Sequence, residues 1–175
     1  MKLAKSLDRL GTETAFSVLA EAKKLEAKGK PMIHLGLGQP DFKTPKHIVD
    51  AAKKALDDGH HGYVLSNGIL ECRQAVTRKI KKLYNQDIDP ERIIIMPGGK
   101  PTMSYAIQCF GEPGVEIVHP TPAFPIYESM INFTGAKPVP YDLTEDKDLK
   151  FNPEKILSLI TEKTKLLILI NPNNP

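Results

Sequence analysis

Leu166-Leu167-Ile168-Leu169-Ile170 runs directly into Asn171-Pro172-Asn173-Asn174-Pro175. Five consecutive apolar residues with no polar alternation read as a strand buried on both faces, the kind found in parallel sheets. A polar Asn/Pro loop following it falls at the carboxyl end of the strand, where open α/β sheets bind ligands. A globular domain has no reason to stop inside such a loop. The sequence is therefore expected to be the front portion of a longer enzyme.

Upstream the same pattern repeats. Arg92 to Met96, Val115 to His119 and Lys137 to Tyr141 read as strands, the first two centred on Ile93-Ile94-Ile95 and Ile117-Val118. Helices are expected at Pro101–Phe110, Pro125–Phe133 and Pro153–Ile160, between these strands and the last one. Strict alternation of strand and helix implies right-handed βαβ units and a mostly parallel sheet with flanking helices. Before this region, Ala15, Val18, Leu19, Ala22 and Leu25 keep helical spacing over residues 12–28, and Gly29 with Pro31 stops that helix. A second helix is expected from Pro45 to Leu56, with Thr44 at its cap. A third carries Ile69, Cys72, Val76, Ile80 and Leu83 on one face. Residues 1–45 lack strands of the later kind and form an arm or small-domain segment; residues 46–175 form one larger, incomplete domain.

Composition narrows the function classes. The 175 residues carry a net charge of +3 and 26% charged residues, ordinary for a globular chain. Lys79, Lys81 and Lys82 read as the solvated face of one helix, so no basic stripe marks a nucleic-acid partner. Fifteen prolines exceed the usual share of about 5% and imply fixed loops. Cys72 and Cys109 stand in no metal or redox spacing and read as reduced, buried small hydrophobes. The N-terminus lacks an apolar signal core and no run is long enough to span a bilayer, so a soluble cytoplasmic protein without a membrane partner is expected.

Two short motifs fail on inspection. Gly36-Leu37-Gly38-Gln39-Pro40-Asp41 lacks the third glycine and the following helix of a dinucleotide fingerprint. Gly98-Gly99-Lys100-Pro101 lacks the first Walker glycine, replaced by Ile94, and the magnesium-binding hydroxyl, replaced by Pro101. What remains at Gly98-Gly99-Lys100 is a strand-to-helix turn suited equally to cradling a phosphate or simply to turning tightly. His60 and His61 have no further ligands at metal spacing and read as solvated turn residues. Tyr63 alone reads as a packed or capping tyrosine. Phe124 reads as a core anchor that, lying beyond a strand's carboxyl end, can also stack on a ring.

Taken in order, LGLGQPDFKTP, GYVLSNGI, a strand then PGGK, a strand then HPTPAFPIY, and a strand then NPNNP resemble the class I aminotransferases. These are fold-type I enzymes that use pyridoxal 5′-phosphate (PLP), and the nearest flavour is the bacterial aspartate aminotransferase-like branch. The resemblance implies the front part of that fold's large domain and transfer of an amino group between an amino acid and a 2-oxo acid, in a homodimer. It gives Gly38 a backbone contact to the substrate carboxylate and Tyr63 a reach across the dimer to the partner's cofactor phosphate. It makes Gly98, Gly99 and Lys100 the phosphate cradle, Phe124 the ring that stacks on the pyridine, and Asn174 a partner of the cofactor's ring hydroxyl. Pro101 replaces a residue that is often polar in relatives, and Phe124 replaces their Trp or Tyr. The family's cofactor lysine, ring-nitrogen aspartate and carboxylate-binding arginine all follow NPNNP, so no catalytic residue is assigned. Later strands of the family also flank the one at Arg92 to Met96, which is left here without its neighbours. A lyase of the same fold, or an inactive remnant serving as a binding module, remains open.

Overall fold

The computed structural model describes residues 2–11, 14–143 and 151–174. The chain forms two compact units, one of residues 1–36 and 98–175 and one of residues 37–97.

The first unit is built on a three-stranded parallel sheet. Strands β1 (Glu116–Thr121), β2 (Lys137–Asp142) and β3 (Thr164–Leu167) lie in the order β2-β1-β3. In register, Val118 faces Val139 on one side and Leu167 on the other. Side chains alternate across β1. Ile117 packs on one face with Ile107, Met130 and Ile131, which come from helices α4 (Gly99–Phe110) and α5 (Ile126–Thr134). Val118 packs on the opposite face with Tyr141, Leu143 and Ile156 of α6 (Pro153–Leu159). The result is three layers, helices on both faces of a parallel sheet, which is the α/β architecture expected from the alternation.

Each crossover helix starts and stops for local reasons. Asn152 caps α6, its side chain accepting from the Lys155 N–H at 3.1 Å, and Pro153 occupies the first turn. α5 ends at Gly135 in the left-handed conformation. The carbonyls of Asn132 and Phe133 at that end each accept a 2.7 Å bond from the Arg9 guanidinium, which sits in a 3₁₀ turn at Lys5–Arg9. Ser129 fastens the same N-terminal segment: its hydroxyl accepts from the Gly11 N–H at 2.9 Å and donates to the Gly11 carbonyl at 3.3 Å. Helix α1 (Thr14–Glu26) completes this unit and buries Ala22.

The second unit holds α2 (Lys46–Asp57) and α3 (Leu70–Tyr84). Pro45 itself is the cap of α2, one position later than expected, and it supplies no side-chain bond. α3 ends on Asn85 in the left-handed region, which a short polar side chain tolerates. Arg73, 1% exposed, organises the rest. Its guanidinium donates to the carbonyls of Gly68 (3.1 Å) and Pro90 (3.0 Å) and pairs with Glu91 at 2.7 Å.

Three expectations need correction. Residues 92–96 form no strand. Ile93 has extended dihedrals (φ −105, ψ 130) and the Ile95 N–H donates to the Asn67 carbonyl, but no ladder forms and Ile94 is 64% exposed. Extended backbone becomes a strand only beside a partner, and none pairs with it among the described residues. The final apolar run is not buried on both faces either: Leu166 and Ile168 pack on the α4–α5 side, whereas Leu167 and Leu169 are exposed. β3 is an edge, and the α6 layer does not extend over it. Third, Cys109 is exposed and Cys72 only half-buried. Two positions from Ile107, Cys109 points about 200° away from the buried stripe of α4.

Two outcomes follow from this packing. The 175-residue chain, made alone, is expected to self-associate or to melt at low temperature, because Ile94, Leu169 and the apolar side chains of α2 lie open. Sedimentation together with a thermal melt checks this, and a cooperative melt of a strict monomer contradicts it. His119, 4% exposed on β1, is held below its ordinary pKa by burial, opposed by the Pro120 carbonyl and the Glu128 carboxylate. The unfolded chain therefore binds the proton more readily than the folded one. Stability should fall as pH drops through about 6.5, and His119→Leu should flatten that dependence in denaturant midpoints.

Candidate functional site

Parallel pairing fixes where the loops go. β1 and β3 are adjacent and run the same way, so the loop after β1 and the loop after β3 leave the same carboxyl edge of the sheet. The first carries Phe124, half-buried; the second carries Asn174, exposed. Thr121–Pro122 and Asn171–Pro172, one in each loop, are cis peptides. Tyr141 tethers the second loop's root: its hydroxyl donates to the Ile168 carbonyl at 3.0 Å, and burial raises the phenol above its ordinary pKa.

The start of α4 joins this edge. Lys100, in the first turn, places its ammonium 5.5 Å from the centre of the Phe124 ring and 5.1 Å from that of Phe16, in the first turns of α1. Both distances fall within the range of cation–π attraction. A groove of about 250 Å³ beside them is lined by Gly11, Lys100, Pro125, Ile126 and Ser129.

Gly98 decides the geometry of the turn. Its φ of 98 and ψ of 165 lie in a region that only glycine enters readily. A Cβ there would meet nothing closer than Pro101 Cδ at 4.0 Å, so it is the backbone conformation and not crowding that demands glycine. No side chain caps α4. Its first-turn N–H groups have no intrahelical acceptor, and Pro101 removes one such donor. A capless helix start, the positive end of the helix dipole and a neighbouring ammonium form a donor set suited to a phosphate.

The structure thus brings Lys100 and Phe124 together and sends Asn174 out from the same sheet edge. Gly38 and Tyr63 lie in the other compact unit, Gly38 exposed and Tyr63 fully so. Among the described residues no three His, Cys, Asp or Glu side chains gather as a metal would need, and no helix is long and apolar enough to cross a membrane. Two residues escaped the sequence reading. Phe16 sits on a helix whose apolar spacing drew attention to other positions, and Tyr141 looked like an ordinary strand residue. Only a three-dimensional contact distinguishes either one.

An α/β chain with ligand-ready loops at one sheet edge is a class with many chemistries. Comparison with known proteins is more specific. The profile of the family "Aminotransferase class I and II" matches residues 30–175. The aspartate aminotransferase of Bacillus subtilis is 37% identical over the whole chain, which covers 44% of that enzyme. The (5-formylfuran-3-yl)methyl phosphate transaminase of Methanocaldococcus jannaschii is 38% identical over 99% of the chain and 45% of its own length. Among solved structures, the alanine aminotransferase from Pyrococcus furiosus superposes with a TM-score of 0.93 at 32% identity, covering 99% of this chain and 45% of that one. The Thermus thermophilus aspartate aminotransferase with maleate gives 0.93 at 30%, covering 100% and 46%. This chain belongs to the class I and II aminotransferase family. It spans less than half the length of these relatives.

Gly98→Ala should cost about 1–3 kcal/mol through backbone strain, with little change in packing. Denaturant titration of the purified protein checks the loss, and an unchanged midpoint would remove the geometric argument for the turn.

Proposed function

We propose that the chain is the N-terminal portion of a PLP-dependent aminotransferase that moves an amino group between an amino acid and a 2-oxo acid. The observation that supports it best is the meeting of a capless, glycine-started helix α4 with Lys100 and Phe124 at the ligand edge of the sheet. The family match agrees with it. The residues fit the cofactor's chemistry. Backbone N–H groups at Gly98, Gly99 and Lys100 would hold the phosphate, Phe124 would offer its ring face to the pyridine, and Asn174 would bond the ring hydroxyl. Gly38 would leave its backbone open to the substrate carboxylate. Tyr63, unburied in this chain, would serve the cofactor phosphate of a second subunit in a cytoplasmic homodimer. Residues 46–175 then belong to the incomplete cofactor-binding large domain and residues 1–45 to an arm or small-domain segment.

When bound, the cofactor supplies the electron sink for the reaction. This chain's own part is to bind and orient. The Gly98 turn would fix an anion at the start of α4, Phe124 would limit the tilt of a flat ring, and both loops are held by one strand pairing. On this reading the group that attaches the cofactor and moves the proton lies beyond NPNNP.

The test is amino-group transfer by the full-length protein loaded with PLP, across a panel of amino acids and 2-oxo acids. Turnover with at least one pair is expected, and a loaded protein inert toward every pair would sink the proposal. The 175-residue chain alone is expected to show no turnover, and borohydride should fix no stoichiometric cofactor to it. A single reducible adduct on one lysine, Lys100 for instance, would show that the attachment point lies within this chain.

A further inference from the structure

Phe16 is one of several exposed large apolar side chains, and its ring meets the α4 start. It is 54% exposed and belongs to neither of the two core clusters of the described residues. The buried side of α1 runs instead through Ala22, with Ala15 and Leu19 half-buried on the same face. Core packing therefore does not account for Phe16. Its recorded ring contact is the Lys100 ammonium at 5.1 Å, and the same ammonium stands 5.5 Å from the Phe124 ring.

We propose that Phe16 is a positioning residue of the cofactor site: with Phe124 it holds the Lys100 ammonium against two ring faces, fixing cation and stacking ring together at the start of α4. The inference rests on the PLP reading above. A lysine has a long stem with many rotamers, and each contact its ammonium makes narrows them. Two ring faces from distant chain segments contribute to that narrowing, because each attracts the charge through its negative face. The same attraction acts on Phe124, whose ring gains a preferred direction from the cation beside it. Three segments distant in sequence are thereby coupled: the first turns of α1, the first turn of α4 and the loop after β1. The contact is electrostatic, so a ring-bearing substitute keeps it and an aliphatic one of similar bulk does not.

The test uses the full-length protein in its cofactor-free form, titrated with PLP, with two readouts besides activity. These are the apparent dissociation constant and the circular dichroism of the bound pyridine ring. Phe16→Leu is expected to weaken binding about two- to fivefold, the range of one cation–ring contact, and to change the dichroism band. Phe16→Tyr should restore both. In a Lys100→Met background Phe16→Leu should cause no further loss. Lys100→Arg keeps a cation that stacks on both rings and should preserve the band, and its contrast with Lys100→Met carries the test if Phe16→Leu does not fold. The inference is overturned if Phe16→Leu binds as the unsubstituted protein does, if its loss persists undiminished without Lys100, or if Lys100→Met leaves the band unchanged. Should the unsubstituted protein take up no cofactor at all, the PLP reading itself fails and the inference with it. Normal uptake with an indifferent Phe16 removes the inference alone.

Discussion

β1 hydrogen-bonds to a parallel neighbour on each side, and almost everything in the larger unit follows from that pairing. Parallel strands put their carboxyl ends together, so the Phe124 loop and the Asn171–Asn174 loop emerge side by side without any contact between them being required. The same strand divides the core. Ile117 commits one face to α4 and α5, and Val118 commits the other to α6. A slip of one residue would exchange those faces and expel both side chains from their clusters. The ligand edge and the hydrophobic core are two consequences of one register.

The start of α4 shows how such a scaffold acquires chemistry. Gly98 adopts a backbone conformation closed to other residues, and the helix after it starts without a side-chain cap. α2, α3 and α5 also start without a side-chain cap, so what sets α4 apart is the glycine backbone before it and the ammonium beside it. Two aromatic rings also stand within cation–π distance of the Lys100 ammonium beside that helix start.

Much of this was legible in the residues. Apolar runs located β1, β2 and β3, and Pro, Gly and Asn punctuation located the helices to within a residue or two. The run at Ile93-Ile94-Ile95 misled because periodicity reports what a segment can do beside a partner, and this one has none among the described residues. Leu167 and Leu169 misled for the same reason: a buried-strand composition describes a sheet with neighbours on both sides. At the site, glycine and helix-start chemistry marked Gly98 and Gly99. Phe16 and Tyr141 left no trace, since one contacts a residue 84 positions away and the other bonds a main-chain oxygen 27 positions on. Pairings over such distances belong to the folded chain and not to any local pattern.

The Arg9 guanidinium closes the last carbonyls of α5, the helix that begins two residues after Phe124. Arg9 therefore acts as the terminal cap of an internal helix, supplied from more than a hundred positions away. Protein engineering at that end is accordingly not neutral. A trim that removes Arg9 acts on the helix behind the ring loop as directly as a substitution within it.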